Sequence, residues 1–313
     1  MQHFGSLSSL SVQNAWLTMG TFDGVHRGHQ AIIRQLVAGA HAENAPAVVI
    51  TFDPHPVAVL RPEKTPRTLT PPDVRAALLG ALGVDIVITH PFTHEVAALS
   101  ARDFLTQLKT HLGFTQFWVG YDFAMGHNRE GNIPTLRRLG EQMGYTVHVV
   151  EPVAFEGKTV SSSQIRKLIA EGQMEETAEL LGRPYSLSGK VIEGAKRGRT
   201  IGIPTANLSA DDSLAIPARG VYACRVWVNA RVVDAVTNIG LRPTFENGPA
   251  RTSVEAHLLD FSEDLYGQVI QLEFHARLRE EQKFSGVEAL VAQIRQDIAQ
   301  ARALLGQPST VSP

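Results

Sequence analysis

The sequence predicts an α/β protein with two domains, an open doubly wound sheet followed by an antiparallel barrel or sandwich with a terminal helix. Three observations support this prediction. The chain has 313 residues, whereas a single domain usually holds roughly 100–200. Short apolar runs alternate with helical patterns in the first half. In the second half, closely spaced strand patterns follow one another without helices between them.

Composition and charge exclude several classes of protein. Hydrophobic residues make up 43% and charged residues 19% of the chain, and the formal net charge is −2. This charge gives no general attraction for nucleic acid or a membrane surface. The single cysteine, Cys224, allows neither an internal disulfide nor a Cys-based zinc site. Since no signal-peptide pattern and no apolar run of about 18 residues is present, we expect a cytoplasmic protein with small-molecule partners. The oligomeric state stays open, a homo-oligomer included.

The first half contains five strand patterns that are nearly continuous in apolar character, which is typical of strands buried on both faces. They are residues 16–20, 47–52, 85–90, 117–120 and 145–150. Helical patterns lie between them at residues 29–42, 72–82, 101–112 and 133–143. Three of these helices are followed by a glycine, which suits a left-handed residue at a helix end: Gly83, Gly113 and Gly144. The β-α-β-α order predicts the doubly wound sheet.

The pattern changes after a helical segment that runs from about residue 163 to residue 182 and is broken near Gly172. We therefore expect one domain at residues 1–183 and a second at residues 184–313. Strand patterns follow at residues 185–194, 220–229, 231–240, 253–261 and 269–278, with a hairpin turn at 228–232. The last helix has apolar residues every three or four positions from Val287 to Leu305, so we expect one face of it to pack on the barrel.

The run GTFDGVHRGH at residues 20–29 is the sharpest candidate site. It follows the first predicted strand, where open α/β sheets bind ligands, and it leads into a helix whose N-terminus attracts phosphate. Gly20 and Gly24 let the backbone approach a ligand closely. His26 and His29 share a helix face and can donate hydrogen bonds to phosphate oxygens, as nucleotidyl transfer requires. A zinc half-site and a purely structural pair are the alternatives.

Three further segments fall where the ligand crevice of such a sheet is expected. They are TFDPHP at residues 51–56, GYDF at 120–123 and SSSQIR at 161–166. The serines of the third segment either cap a helix or, beside Arg166, hold a triphosphate. Asp53 and His55 of the first segment, taken alone, are typical of an exposed loop.

A second candidate site lies in the C-terminal half. The segment GAKRGRTIGIPTAN at residues 194–207 suits either phosphate binding or a solvated basic turn. The hydroxyl of Thr205 and the amide of Asn207 are two residues apart and suit Mg²⁺, which prefers oxygen ligands. Glu255 shares a predicted strand face with His257. A carboxylate there either has a structural partner or serves as general base in phosphoryl transfer.

Together these segments resemble the bifunctional riboflavin kinase/FAD synthetase family of bacteria, and the likeness extends from about residue 16 to residue 305. Further segments that carry the likeness are PTAN at 204–207, NIGLRPTF at 238–245, EAHLLDF at 255–261 and the R-x-E-x-K-F pattern at 279–284. The family implies a Rossmann-like nucleotidyltransferase domain and a six-stranded Greek-key barrel. It also implies the substrates riboflavin, FMN and ATP, the last with Mg²⁺.

The resemblance also implies roles for individual residues. His26 and His29 stabilise the adenylyl-transfer transition state, Glu255 takes the proton of the ribityl 5′-hydroxyl, and Thr205 and Asn207 hold Mg-ATP. The residues implied in ATP binding are Gly20, Phe22, Asp23, Gly24, Asp122, Ser162, Ser163, Arg166, Gly194, Lys196 and Gly198. Those expected at the flavin are Asp53, His55, Asn238 and Arg279.

Two positions depart from the family pattern. Residues 161–163 are three serines where the family usually has Ser-Ser-Thr, which keeps a hydroxyl. Ala124 stands where the family often has an arginine, and it is open whether Arg129 replaces it. The sequence therefore predicts an enzyme that makes FMN from riboflavin and FAD from FMN. The alternatives are a riboflavin kinase with a decayed adenylyltransferase site, a non-catalytic flavin-binding protein, and a nucleotidyltransferase for another substrate.

Overall fold

The structure is a computed structural model that describes residues 1–152, 154–155, 157–194, 198, 201–209, 211–242 and 251–306. The chain divides into two compact units, Met1–Ser162 and Ser163–Pro313. Among the residues just given, no helix is both long enough and apolar enough to cross a membrane.

The first unit contains a main sheet of six parallel strands and six α-helices. The strands are β1 (Gln2–Phe4), β2 (Trp16–Met19), β3 (Ala47–Asp53), β4 (Ile86–Pro91), β5 (Gln116–Gly120) and β6 (Thr146–Val150). Their order across the sheet is β1-β4-β3-β2-β5-β6. The helices are α1 (Arg27–Ala42), α2 (Pro56–Leu60), α3 (Pro72–Ala81), α4 (His94–Ala98), α5 (Ala101–Leu112) and α6 (Ile133–Met143). A small antiparallel pair follows, β7 (Ala154–Phe155) and β8 (Lys158–Thr159).

Both faces of the main sheet are covered, because alternate residues of one strand pack in different cores. Val48 of β3 packs in a core with Leu105 of α5 and other buried residues. The next residue, Val49, packs on the opposite face with Leu36 of α1. This arrangement confirms the predicted doubly wound sheet.

The five strands and four helices predicted for the first half are present, and their ends agree within two residues. Gly113 and Gly144 end their helices with φ of 48° and 71°, the left-handed conformation that was expected. Strand β1, which pairs with β4, was not predicted because two of its three residues are exposed and polar. Helices α2 and α4, which have only five residues each, were not predicted either.

The second unit contains six antiparallel strands that close into a barrel. The strands are β9 (Tyr185–Ile192), β10 (Ala206–Ser209), β11 (Gly220–Val228), β12 (Arg231–Arg242), β13 (Arg251–Leu258) and β14 (Val269–Arg279). Around the barrel their order is β10-β13-β12-β11-β14-β9, and β9 pairs with β10. Within it, β14-β11-β12-β13 is a Greek key, since the fourth strand returns beside the first. The barrel is thus confirmed over the sandwich.

The hairpin predicted at residues 228–232 joins β11 to β12. Asn229 and Ala230 both have positive φ, 47° and 63°, as a two-residue turn of type I′ requires. The terminal helix is α9 (Val287–Leu305). Its buried apolar residues Ala301 and Leu305 pack on the barrel, but Val287 is 60% exposed. The apolar face expected along the whole helix is therefore fully buried only in its C-terminal part.

Two helices precede the barrel strands, α7 (Ser162–Glu171) and α8 (Met174–Leu181), with the break at Gly172 that was expected. Helix α8 packs on β9 and β14. These helices therefore group with the barrel, and the division between compact units comes before the predicted boundary at 183/184. That boundary between functional domains stays a prediction.

Candidate active sites

The first candidate site lies at the carboxyl edge of the parallel sheet. Strands β2, β3 and β5 end at Met19, Asp53 and Gly120. Because neighbouring strands are parallel, the segments that follow them emerge at one edge. The structure thus brings Gly20, Asp53 and the loop of Asp122 to the same edge of the sheet, as predicted.

The loop between β2 and α1 has an unusual backbone. Phe22 and Val25 have φ of 45° and 42°, a region that costs a bulky or β-branched residue about 1–3 kcal/mol. Several hydrogen bonds hold this conformation. The N–H of Val25 donates to the Phe22 carbonyl (3.0 Å), and the Gln30 amide donates to the Val25 carbonyl (2.9 Å). A strained loop held in this way is typical of a site where geometry matters more than stability.

Asp23 has a structural task in this loop. Its Oδ1 accepts the backbone N–H groups of Leu69 (2.8 Å) and Thr70 (3.2 Å), and the side chain is 1% exposed. The Thr70 hydroxyl in turn accepts the N–H of Gly24 (3.2 Å). A direct contact between the Asp23 carboxylate and ATP stays a prediction. What the structure shows is that Asp23 shapes the loop, together with a segment before α3 that the sequence reading missed.

The two histidines form a stacked pair at the start of α1. Their ring centroids are 3.6 Å apart with an angle of 19° between the planes, and the edge of Phe22 meets His29 at 5.2 Å. His26 is the N-cap residue, since its Nδ1 accepts the backbone N–H of His29 (3.4 Å). A neutral His26 therefore carries its proton on Nε2. The spacing that predicted a shared helix face is confirmed as a ring-on-ring contact.

His29 is held in the neutral form. Burial lowers its pKa well below the ordinary value, and its electrostatic interactions with His26 and Arg75 lower it further. Its Nδ1 is buried and has no hydrogen-bond partner among the described residues. Buried polar atoms are usually paired, so this nitrogen is suited to a ligand atom. The partial positive charge at the N-terminus of α1 favours an anionic ligand there.

The remaining residues predicted for this site are divided between the two compact units. Ser162 lies beside the loop, because its hydroxyl donates to the Asp23 carbonyl (2.9 Å). His55 caps α2, with its Nδ1 accepting the Val57 N–H (3.2 Å). Ser163 and Arg166 belong to the second compact unit, so their part in this site stays a prediction.

The second candidate site is a row of polar side chains across three barrel strands. Asn207 of β10 lies directly opposite Glu255 of β13, and Glu255 lies directly opposite Asn238 of β12. Residues opposite each other in adjacent strands project from the same face of the sheet. The structure therefore brings together three residues that are 17 or more positions apart in the sequence. Asn207 is 7% exposed, whereas Glu255 and Asn238 are half-buried.

The segment that carries Thr205 is tied to the strand of Glu255. Nδ1 of His257, two residues along β13 from Glu255, donates to the Pro204 carbonyl (2.7 Å). Gly194 lies against Asn207 from the other side, and a Cβ at that position would overlap the Asn207 amide. Thr205 and Asn207 are therefore held in place by neighbours in the barrel.

A cavity of about 380 Å³ opens beside Thr205. It is lined by Val191, Leu258, Phe261 and Tyr266 among others. This volume is within the range of small-molecule sites, roughly 300–1,000 Å³. Residues 261–266, which line one side of this cavity, were not predicted as part of a site. Their position in a turn directly after the strand of Glu255 could have indicated it.

Comparison with known proteins decides the family. Residues 9–164 match the model described as FAD synthetase, and residues 181–305 match the model described as riboflavin kinase. A "Bifunctional riboflavin kinase/FMN adenylyltransferase" of Pseudomonas fluorescens is 39% identical over 288 residues, which are 92% of either chain. A protein of the same name from Bacillus subtilis is 38% identical and covers 91% of this chain and 90% of its own. This chain belongs to the bifunctional riboflavin kinase/FMN adenylyltransferase family.

A solved structure agrees with this assignment at the level of the fold. It is described as a macrolide-efflux protein from Streptococcus pneumoniae, and it is 30% identical with a TM-score of 0.87. The match covers 96% of this chain and 98% of that chain. The fold of that protein therefore matches nearly the whole of this chain.

One flavin contact predicted from the family likeness has a different environment in the structure. The Arg279 guanidinium forms a two-pronged salt bridge with Asp297 of α9, at 2.9 Å from Nε and 2.8 Å from Nη2. It also stacks on Phe284 and donates to the Glu280 carbonyl. The structure thus shows Arg279 joining β14 to α9, and a flavin contact stays a prediction. Asp297 was not singled out in the sequence.

Other positions of the family pattern are placed as follows. Lys196 lies outside the described residues, whereas the carbonyl of Gly198 accepts the Ile203 N–H (2.8 Å). Glu281 lies against Gly240, where a Cβ would overlap its carboxylate and lie 3.2 Å from the Asn238 amide. This carboxylate beside the polar row was not assigned a role from the sequence.

Arg129 lies in the same loop as Ala124, the position where the family often has an arginine. Nη2 of Arg129 donates to the Asp122 carbonyl (3.2 Å), so an arginine is present in the loop after β5. Arg129 therefore lies where it can orient Asp122. Whether it also replaces the family arginine in binding ATP stays a prediction.

Proposed function

We propose that this chain phosphorylates riboflavin with ATP to give FMN, and adenylylates FMN with a second ATP to give FAD and pyrophosphate. The observation that carries the proposal is the presence of both family segments in one chain, each with its polar residues assembled. In the first unit these are the stacked histidines. In the second they are Asn207, Glu255 and Asn238.

In the adenylyl-transfer step, a phosphate oxygen of FMN attacks the α-phosphorus of ATP, and pyrophosphate leaves. The attacking group belongs to the substrate, so the protein's task is to position the reactants and stabilise charge. His26 offers the Nε2 proton of its neutral ring, and His29 offers the nitrogen that lacks a partner. Stacked and close to Arg75, the pair acts as neutral donors to the phosphate oxygens.

In the kinase step, the ribityl 5′-hydroxyl of riboflavin attacks the γ-phosphorus of ATP. Glu255 is proposed as the base that takes the hydroxyl proton. Its position between Asn207 and Asn238 supports this role, because polar neighbours on one strand face can orient both the carboxylate and the substrate. Gly194, Lys196 and Gly198 are proposed as further ATP contacts, since Gly194 lies against the Asn207 amide.

The kinase site fits an Mg²⁺ ion that arrives with ATP. Thr205 and Asn207 offer a hydroxyl and an amide oxygen, which are suitable ligands for this hard cation. Mg²⁺ keeps several waters and takes further ligands from the phosphates, so few protein ligands are needed. Among the described residues there is no group of three or more His, Cys, Asp or Glu side chains that could hold a metal on its own. When bound, the ion would neutralise charge on the transferred phosphate.

Two alternatives remain to be separated from this proposal. Ala124 favours a kinase with a decayed adenylyltransferase site, but the intact histidine pair and the bonded loop around Asp23 favour activity. A flavin-binding protein without turnover would have no need for a strained and heavily bonded loop at a helix N-terminus. A cytoplasmic place of action is part of the proposal, since ATP is the phosphoryl donor in the first step and the adenylyl donor in the second.

One experiment tests the proposal. The purified full chain is incubated with riboflavin, ATP and Mg²⁺, and the flavins are separated by chromatography over time. The expected result is FMN followed by FAD. FMN without FAD would support the decayed-site alternative, and unchanged riboflavin would refute both activities.

Two variants test the division of labour between the units. Glu255→Ala is expected to abolish FMN formation while FMN supplied directly is still converted to FAD. His29→Ala is expected to do the reverse. Circular dichroism serves as the folding control for both. Loss of both steps in either folded variant would contradict the assignment of one reaction to each unit.

A further inference from the structure

Arg75 of α3 lies where three oxygens of the first unit converge. Its Nη1 donates to the Thr21 carbonyl (2.8 Å), the Thr51 hydroxyl (2.8 Å) and the Phe52 carbonyl (3.2 Å). Thr21 begins the loop that leads to the histidine pair, whereas Thr51 and Phe52 lie in β3. The Thr51 hydroxyl also donates to the Thr21 carbonyl (2.9 Å). One side chain thus joins the loop after β2 to the end of β3.

We infer that Arg75 is a positioning residue for FAD formation, which sets the place of the histidine loop and the electrostatic environment of His29. The inference rests on the proposed adenylyltransferase function. Arg75 is 3% exposed, so its guanidinium acts through the loop and not by touching substrate. A displacement of about 1 Å in a site of this kind can slow the reaction about 100-fold.

Two carboxylates partly offset the effect of burial on the Arg75 guanidinium. Asp23 in the loop and Asp53 at the end of β3 both stabilise the positive form of Arg75 and oppose the effect of its burial, which lowers its pKa. Burial lowers the pKa of His29 most, and its electrostatic interactions with His26 and with the positive Arg75 lower it further. Removing the charge of Arg75 would therefore let His29 take up a proton at a higher pH.

The hydrogen-bond geometry indicates what this position requires. A guanidinium Nη1 carries two hydrogens, yet three oxygens surround it. The Nε of Arg75 is buried and has no partner among the described residues. An ammonium group carries three hydrogens at one nitrogen and has no second donor to leave unpaired. At this position one cationic nitrogen serves all three oxygens, so a lysine is expected to preserve most of the effect of Arg75.

The test compares three full-length variants: Arg75→Met, Arg75→Lys and Leu79→Ala. Leu79 is fully buried one turn further along α3, so it controls for a general loss of stability. FMN-to-FAD conversion is measured from pH 5 to 9, and riboflavin phosphorylation is measured alongside. We expect Arg75→Met to slow FAD formation about 100-fold. We also expect the acidic limb of its pH profile to move to higher pH.

Arg75→Lys is expected to stay within about tenfold of the native rate, with the acidic limb in its native place, since the charge is kept. All three variants should phosphorylate riboflavin at the native rate. An Arg75→Met enzyme that makes FAD as fast as Leu79→Ala would overturn the inference. So would an Arg75→Met profile whose acidic limb does not move.

A fourth variant covers the case in which Arg75→Met does not fold. Thr51→Val removes the hydroxyl that joins Arg75 to Thr21 and keeps the side-chain shape. We expect it to slow FAD formation about tenfold, and an unchanged rate would refute the inference. The native chain separates this result from a failure of the proposed function. If the native chain makes no FAD, the proposed function is wrong, whereas a native rate in the variants contradicts the role of Arg75 alone.

Discussion

The salt bridge between Arg279 and Asp297 offers a test of whether Arg279 supports the barrel or binds flavin. Replacing Arg279 by Met removes the guanidinium and keeps much of the apolar stem. The Asp297 carboxylate, only 3% exposed, would then keep one donor among the residues that the structure describes, the Gln293 amide at 3.0 Å. The matched variant is Asp297→Asn, which leaves Arg279 with a neutral partner of the same shape.

The expected cost follows from burial. Removing one partner of a buried ion pair usually destabilises a protein by about 3–5 kcal/mol, because the other charge stays buried and unpaired. Arg279→Met should lie in this range. In Asp297→Asn the charged group left behind is Arg279, which is 19% exposed and keeps access to water. We therefore expect a smaller loss, about 1–3 kcal/mol.

Urea unfolding of the full chain measures both values. Trp227 is the one tryptophan of the second unit, so a background with Trp16 and Trp118 replaced by Phe reports on the barrel alone. With a slope of about 2 kcal/mol per M urea, Arg279→Met should lower the midpoint by roughly 1.5–2.5 M. The KM for riboflavin, measured where each variant is folded, should stay near the native value.

The opposite pattern would refute this reasoning. If Arg279→Met kept the native midpoint and raised the KM for riboflavin severalfold, the guanidinium would serve the flavin and not α9. If Arg279→Met and Asp297→Asn both lowered the urea midpoint and both raised the KM for riboflavin, the salt bridge would hold Arg279 in place for the flavin. Only a lower midpoint with native KM supports a purely structural pair.

Three further predictions concern pH and close packing. Burial lowers the pKa of His275 to about 4, so only the unfolded chain takes up this proton between pH 6.5 and 4. The free energy of unfolding should therefore fall over this range, by at most about 1.4 kcal/mol per pH unit from this group. Urea unfolding at several pH values measures the fall, and His275→Gln should lack this contribution. Gly194→Ala should slow FMN formation and spare FAD formation in the flavin assay, since its Cβ overlaps the Asn207 amide. Gly39→Ala should lower thermal stability by about 1–3 kcal/mol despite its better helix propensity, because its Cβ overlaps the Trp16 ring.

Most of the fold was predictable because its signals are local. Buried parallel strands are apolar over four to seven residues, and amphipathic helices repeat every three or four, so neither needs knowledge of distant partners. What was missed is short or irregular. Strand β1 is defined by pairing with β4, more than 80 positions away, and not by its own composition. The exposure of Val287 was also invisible, because a periodic pattern does not say where its partner surface ends.

The sequence indicated which residues belong to the candidate sites better than it indicated what each residue does there. The spacing of His26 and His29 indicated a shared face, and the structure shows the rings in contact. The family likeness implied that Asp23 binds ATP, which stays a prediction, and the structure shows that its carboxylate also accepts the N–H groups of Leu69 and Thr70. Such roles depend on contacts across more than 40 positions. The contacts of Arg75 were invisible for the same reason, since an arginine in a helix is usually solvated.

The polar row in the barrel has a consequence for how the chain matures. Asn207, Glu255 and Asn238 come together only through the pairing of β10, β13 and β12. A shift of β13 by one residue would turn Glu255 to the opposite face, together with the rest of its strand. A chain with β13 in the wrong register would therefore lose Glu255 from this row while Asn207 and Asn238 stayed on their own strands. Such a chain is expected to form no FMN, although every residue of the row is present in its sequence.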